Sequence, residues 1–135
     1  MSAAIANRER NTTQNAINWF EIPALDFDRA IKFYENILGV SLRREVFHGT
    51  SNALFPANEQ GVGGAVVCAE GYIPSASGSF VYLNADGKLD AVLSRVEAAG
   101  GQIVRPKTAI PPQGYFAWLI DSEGNKIALH EAPTE

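Results

Sequence analysis

Apolar and polar positions along the chain form short alternating runs, interrupted by two stretches with helical spacing. The run "INWFEI" at 17–22 is rich in β-branched and aromatic residues and precedes Pro23, which predicts a strand that ends there. Helical spacing follows at Phe27, Ala30, Ile31, Tyr34 and Leu38. Asp26 suits the first turn of this helix and Gly39 its end. The runs "VSLRREVF", "SNALFPA" and "GGAVVCA" then predict three strands, so the order is βαβββ.

The same order begins again after "EGYIPSASG", a loop without periodicity. The run "SFVYLNA" predicts a strand, and "DGKLDAVLSRVEAAGG" predicts a helix from Asp86 to the Gly100–Gly101 pair. Three more strand-like runs complete the second half: "QIVRPKTAI", "YFAWLID" and "NKIALHE". We therefore predict an α+β fold with a single domain at 17–132, made of two βαβββ modules at about 17–70 and 78–132. A flexible polar tail is predicted at 1–16.

Charge and composition exclude several partners. The net charge is -4, and the 11 Lys and Arg residues are scattered, so no basic stripe is available for nucleic acid. No apolar run approaches the roughly 18–20 residues that span a bilayer, and the N-terminus lacks the apolar core of a signal peptide. The single Cys68 cannot form an internal disulfide, and it has no adjacent cation to activate it. These features predict a cytoplasmic protein without nucleic-acid or membrane partners.

Three segments carry a family resemblance: "WFEIPALDFDRAIKFYENILGV", "VEAAGGQIV" and "DSEGNKIAL". Together they resemble the vicinal oxygen chelate superfamily, which includes glyoxalase I, extradiol dioxygenases and bleomycin resistance proteins. More narrowly, the sequence is similar to the group described as related to lactoylglutathione lyase. The resemblance covers residues 17–132. It implies paired βαβββ modules whose curved sheets enclose a cleft, commonly in a homodimer.

The resemblance also implies where a metal would be held. Metal enzymes of the superfamily use four residues, one on the first and one on the last strand of each module. In this chain the matching positions hold Trp19, Phe80, Ala128 and either Ala65 or Val66. None of these side chains coordinates a divalent ion. We therefore expect no metal and no other cofactor.

Strand parity selects the polar residues that accompany these positions. Side chains alternate between the two faces of a strand, so Glu21 shares a face with Trp19 and Tyr82 shares a face with Phe80. His130 likewise lies on the Ala128 face, and Glu131 points the opposite way. Glu21 and His130 are the candidate catalytic residues, and we expect them to pair in the cleft. The alternative is structural: Glu21 tied to a backbone amide and His130 an ordinary strand end.

Five residues are candidates for contacting a ligand. Trp19, Phe80 and Tyr82 would form an aromatic cleft surface. Tyr115 follows the stiff "IPPQG" loop and is placed at the cleft rim, although turn chemistry explains this segment equally well. His48, in "VFHGTSN", is a fifth candidate, with a solvated loop position as the alternative.

Three classes of function remain open. The first is a small-molecule protein without the usual metal ligands, either a binder or a metal-independent lyase or isomerase. The second is an antibiotic-sequestering protein whose dimer groove holds a cationic ligand. The third is a metal-dependent lyase or dioxygenase with displaced ligands. The residues alone do not decide between enzyme and binder.

Overall fold

The computed structural model describes residues 15–134, so the predicted tail lies outside the described residues apart from Asn15 and Ala16. The described chain contains two helices and eight strands. The first module comprises β1 (Trp19–Pro23), α1 (Phe27–Leu38), β2 (Arg43–Phe47), β3 (Thr50–Leu54) and β4 (Gly63–Cys68). The second comprises β5 (Tyr82–Asn84), α2 (Leu89–Val96), β6 (Gln102–Ala109), β7 (Tyr115–Ile120) and β8 (Lys126–Glu131).

Each module forms its own four-stranded mixed sheet. The strand orders are β1-β4-β3-β2 and β5-β8-β7-β6. The first strand of each module runs parallel to the last, and the other pairings are antiparallel. The sheets are separate, and α1 contacts α2 between the modules. This arrangement confirms the predicted α+β fold of two βαβββ modules.

One face of each sheet packs against the helices, and we call the other the open face. The helix faces join in one apolar core, to which β1 contributes Ile22, α1 contributes Phe33, and β7 contributes Leu119. Neither helix of residues 15–134 is long and apolar enough to cross a membrane.

Helix α1 begins and ends where its sequence predicts. The Asp26 carboxylate accepts a hydrogen bond from the Arg29 amide, and Gly39 ends the helix in the left-handed conformation with φ of 67°. The second module also stabilises this end, because Lys88 donates to the Leu38 carbonyl and Arg95 to the Ile37 carbonyl. Cations at the C-terminus of a helix satisfy its free carbonyls and its dipole.

Several predicted boundaries are wrong; β5, for example, is Tyr82–Asn84 and not the predicted 79–85. Strand β1 begins at Trp19, two residues after the predicted start, and it includes Pro23. Proline is tolerated there because β1 lies at the sheet edge. Helix α2 begins at Leu89, not Asp86, and ends at Val96.

The N-terminus of α2 has a partner from the other end of the module. The Glu131 carboxylate accepts a hydrogen bond from the Leu89 amide. The Asp86 carboxylate instead accepts from the Ala132 amide. Asp86 therefore binds the chain after β8 and does not cap α2. The carboxylate at the N-terminus of this helix comes from Glu131, which the tertiary structure brings there.

The turn before β8 connects the two modules. The Glu123 carboxylate accepts from the amides of Leu25 and Asp26 and forms an ion pair with Arg29 at 2.7 Å. Its side chain is fully buried. Burial raises the pKa of Glu123, but hydrogen bonds from Arg29, from the Asp26 amide and from Ser122 outweigh it, so the pKa lies below its usual value.

Asp121 and Asn125 extend this contact. The buried Tyr34 hydroxyl donates to Asp121, and burial, followed by the Asp121 charge, raises the pKa of Tyr34. Asn125 donates to the Pro23 carbonyl at 2.7 Å. We call the turn Asp121–Asn125, with its first-module partners, the intermodule joint.

Candidate functional site

The open face of the first sheet carries Trp19 and Glu21, as parity predicted. Both are exposed, whereas the intervening Phe20 and the following Ile22 face the core. The Glu21 carboxylate accepts from Trp19 Nε1 at 3.3 Å and from the Tyr72 hydroxyl at 2.9 Å. The hydrogen bond to Glu21, and then the charge of that carboxylate, raises the pKa of Tyr72. Tyr72 lies in the loop between the modules, where no periodicity pointed to it.

His130 lies on the open face of the second sheet and is half-buried. Its Nε2 atom is 2.8 Å from the Gln113 carbonyl oxygen. A carbonyl only accepts, so Nε2 carries the hydrogen, and in the neutral ring Nδ1 is then the acceptor. Glu131 points to the helix face, as predicted.

Glu21 and His130 do not form the predicted direct pair. They lie on different sheets, Glu21 with Trp19 and Tyr72 and His130 with Gln113. The expectation assumed that the first and last strands line one cleft within a chain. The pairing fails because β1 and β8 belong to separate sheets whose strands do not pair.

The second sheet brings aromatic and cationic side chains together on its open face. We call this surface the aromatic face; it consists of Phe80, Tyr82, Phe116, Trp118, Arg105 and Lys126. The Trp118 ring lies 5.3 Å from the Phe80 ring and 5.6 Å from the Phe116 ring, measured between centroids. Trp118 Nε1 donates to the Tyr82 hydroxyl at 3.3 Å.

Two cations approach these rings from the strands on either side of β7. The Lys126 ammonium nitrogen, on β8, lies 4.7 Å from the Trp118 ring centroid and 5.0 Å from that of Phe80. The Arg105 guanidinium carbon, on β6, lies 5.3 Å from the Trp118 centroid and 5.2 Å from that of Phe116. All four distances fit cation–π contact. The pairing register of β6 shifts on both sides of Arg105.

The cations of the aromatic face have no acidic partners in the described part of the chain. Within residues 15–134, neither Arg105 nor Lys126 forms an ion pair, whereas Arg29, Arg44 and Lys107 each do. The aromatic face is thus positively charged on a protein whose net charge is -4.

Tyr115 and His48 do not join this surface. Tyr115 packs against the core on the opposite side of β7 from Phe116, with the Lys107 ammonium 4.5 Å from its ring centroid. His48, with φ of 51°, and Gly49 form the exposed turn between β2 and β3. Both candidates are therefore placed apart from Phe80 and Tyr82.

A cavity of about 900 Å³ lies between the modules, beside the aromatic face. Phe80 and Tyr82 line it from the second module. Its largely apolar wall includes Ile17, Phe20, Val40, Phe55, Pro56 and Val62. The two surfaces are continuous, because Phe80 and Tyr82 belong to both.

Comparison with known proteins identifies the class. The family model described as the glyoxalase/bleomycin resistance protein/dioxygenase superfamily matches residues 16–129. The chain therefore belongs to that superfamily, and the resemblance stated from its motifs is confirmed.

Individual relatives support the assignment. The chain is 31% identical over 107 residues to "Putative glyoxylase CFP32" of Mycobacterium bovis. The aligned region covers 78% of this chain but only 40% of that protein. It is 30% identical over 129 residues to a glyoxylase-like domain-containing protein of Didymella fabae, covering 87% of this chain and 94% of the relative. The crystal structure of a glyoxalase/bleomycin resistance protein from Albidiferax ferrireducens T118 aligns with a TM-score of 0.68 at 20% identity, covering 88% of this chain and all of that one. The last similarity shows the fold alone.

Four members of the aromatic face were missed by sequence reasoning: Arg105, Phe116, Trp118 and Lys126. The signal was present in part, because parity along "YFAWLID" puts Phe116 and Trp118 on one face. Which face this is depends on the register of β7 against β8, which pairs Trp118 with Ala128. Lys126 shares that parity with Ala128.

Proposed function

We propose that this chain is a small-molecule-binding member of its superfamily that works without the usual divalent metal. One observation carries the proposal. The four positions that match the superfamily's metal ligands hold Trp19, Phe80, Ala128 and either Ala65 or Val66, and these side chains supply no ligand atom. In the described part of the chain, no three His, Cys, Asp or Glu residues are grouped to hold a metal ion. The residues present do not fit the superfamily's metal, so no step is assigned to one.

The cavity and the aromatic face support ligand binding. A volume of about 900 Å³ falls in the range of small-molecule sites, which are mostly apolar with a few polar groups. The side chains of Phe80 and Tyr82 remain 39% and 49% exposed, so their rings are available to a ligand.

Two measurements test this proposal. Elemental analysis of protein purified without chelator should show no stoichiometric nickel, zinc, iron or manganese. A fragment screen followed by two-dimensional NMR should shift signals of the cavity and the aromatic face. Phe80→Ala should weaken the fragments, whereas Phe47→Ala, at 49% exposure on the first sheet, should not. A stoichiometric metal would contradict the proposal, and so would fragment affinities that Phe80→Ala leaves unchanged.

The enzymatic form of this proposal is a metal-independent lyase or isomerase. The contact with Gln113 favours it, because it leaves His130 Nδ1 as a proton acceptor on the open face. Glu21, held by Trp19 and Tyr72, is the second proposed catalytic group. When α-hydroxycarbonyl compounds are incubated with the protein in D₂O, their α proton should exchange for deuterium, and NMR measures this loss of signal. His130→Gln should stop the exchange without removing binding, and exchange that persists in this variant would remove the role.

The two alternative functions predict different results. A cationic antibiotic would meet Arg105 and Lys126 on the aromatic face, which disfavours it electrostatically there. A metal-dependent enzyme with displaced ligands would reveal its ion in the elemental analysis.

A homodimer is also proposed, since the superfamily commonly dimerises and the open face of the first sheet, away from the aromatic face, exposes Trp19 by 46%. Sedimentation that shows only monomer at tens of micromolar would contradict the homodimer.

A further inference from the structure

We infer that the ligand of the aromatic face is a planar organic anion, an aromatic or conjugated carboxylate, whose charge is bound by Lys126 and Arg105. This inference rests on the proposed function and specifies the ligand class of that site. It starts from the contrast among the cations of residues 15–134. Arg44 and Lys107 also stack on rings, at 5.3 and 4.5 Å, but each also pairs with an aspartate. Arg105 and Lys126 stack without a carboxylate partner.

A cation over an aromatic ring still has capacity for an anion. The cation–π contact holds the side chain in place, while its N–H groups remain able to donate to a carboxylate. Holding the donors in advance reduces the entropy that binding would cost. The N–H groups of Arg105 and Lys126 are therefore available to bind the acid group of a ligand.

The rings define the rest of the ligand. Phe80 and Tyr82 are about half-exposed, lie beside Trp118, and border the apolar cavity. A flat apolar body gains from stacking there and from removing these rings from water. Lys126, 5.0 Å from the Phe80 centroid, is closer to this body than Arg105, whose ring partners are Phe116 and Trp118. Lys126 should thus contribute more to the affinity than Arg105.

Three isosteric probes test the inference: 2-naphthoate, the neutral 2-naphthamide and the cationic 2-naphthylmethylammonium. Affinity is measured by calorimetry, and the site by NMR of the Trp118 indole N–H, assigned with a Trp19→Phe variant. We expect naphthoate to bind about tenfold more tightly than the amide and the ammonium to bind least, because one charge-assisted contact is worth about 1.4 kcal/mol or more. Raising the salt concentration should weaken naphthoate but not the amide.

Matched variants separate a local effect from net charge. Lys126→Gln should weaken naphthoate about five- to tenfold and Arg105→Gln somewhat less, with the amide unchanged. Lys107→Gln and Arg44→Gln remove the same charges from ion-paired cations on other rings and should leave naphthoate unchanged. Trp118→Leu should weaken all three probes, since it removes the ring floor.

Each other outcome overturns the inference. Equal affinity for the three probes at the Trp118 signal, or the same loss in the control variants, would leave a small-molecule site without anion selectivity. The proposed function would then stand. If no probe or screened fragment shifts the aromatic face, both proposals fail. Trp118 shifts that follow protein concentration instead of probe concentration would show that a second copy covers the face, which also overturns the inference.

Discussion

Glu123 and Lys126 lie three residues apart at the turn into β8, and their charged groups have contrasting surroundings. Glu123, in the intermodule joint, is fully buried and receives hydrogen bonds from two backbone amides, from Arg29 and from Ser122. Lys126, on the aromatic face, contacts two rings and no carboxylate among residues 15–134. The first pattern is that of a structural site, because a buried charge must be partnered, and the second is that of a surface able to accept a partner.

The comparison changes the meaning of the motif "DSEGN". In the sequence it served as a family signature, next to a histidine and a glutamate that suggested chemistry. In the structure its Asp121, Glu123 and Asn125 side chains all bind the first module. The motif therefore holds the modules together, and the proposed binding chemistry lies on β5, β6, β7 and β8 beside it.

The largest expected change in the free energy of unfolding comes from a substitution in the intermodule joint. Glu123→Ala should lower the free energy of unfolding by about 3 kcal/mol, because it leaves two amides and Arg29 without their buried acceptor. Urea denaturation measures it, with the exposed Glu97→Ala as control, expected within about 0.5 kcal/mol. Equal losses in both variants would show that the joint is not a stability centre.

A smaller loss is expected from Tyr34→Phe. This variant removes the hydroxyl that donates to Asp121 and keeps the ring that packs in the core. The loss should be about 1–1.5 kcal/mol by the same denaturation. Tyr82→Phe, whose hydroxyl lies on the aromatic face, should change stability by less than about 0.5 kcal/mol. A larger loss at Tyr82 than at Tyr34 would reverse the comparison.

The joint should also make stability depend on pH. The pKa of Glu123 is lowered in the folded protein, so its contribution is complete above the unfolded value of about 4.3 and is lost as the pH falls through the folded value. In Glu123→Gln, the acid side of the stability profile should therefore be flatter than in the unaltered protein. Thermal unfolding monitored between neutral pH and acid checks this. Parallel profiles would assign the acid sensitivity to other carboxylates.

The smallest stability effect is expected on the aromatic face. Lys126→Gln and Arg105→Gln should each lower the free energy of unfolding by at most about 1 kcal/mol, because exposed cation–π contacts contribute little and neither cation has an ion pair within residues 15–134 to lose. Thermal denaturation in low salt measures this. A loss above about 1 kcal/mol would mean that these cations stabilise the fold, and the contrast with Glu123 would disappear.

Much of the fold could be predicted because its signals are local. The helical spacing from Phe27 to Leu38, with Asp26 before it and Gly39 after it, defined α1 to the residue. Parity within single strands placed Glu21, Tyr82 and His130 on open faces. Element ends were less accurate where a distant group decides them, as at Leu89, whose amide binds Glu131.

The sequence by itself determined two βαβββ modules and the superfamily. These follow from residue type and spacing, which act over a few positions. Only the tertiary structure decided the partners: Tyr72 for Glu21, Gln113 for His130, and Glu123 for Arg29, 94 residues away. It also decided which cations of residues 15–134 have a carboxylate partner. The physical reason is that a charge is neutralised by whatever the fold brings within a few ångströms, and sheet register and module packing set that distance.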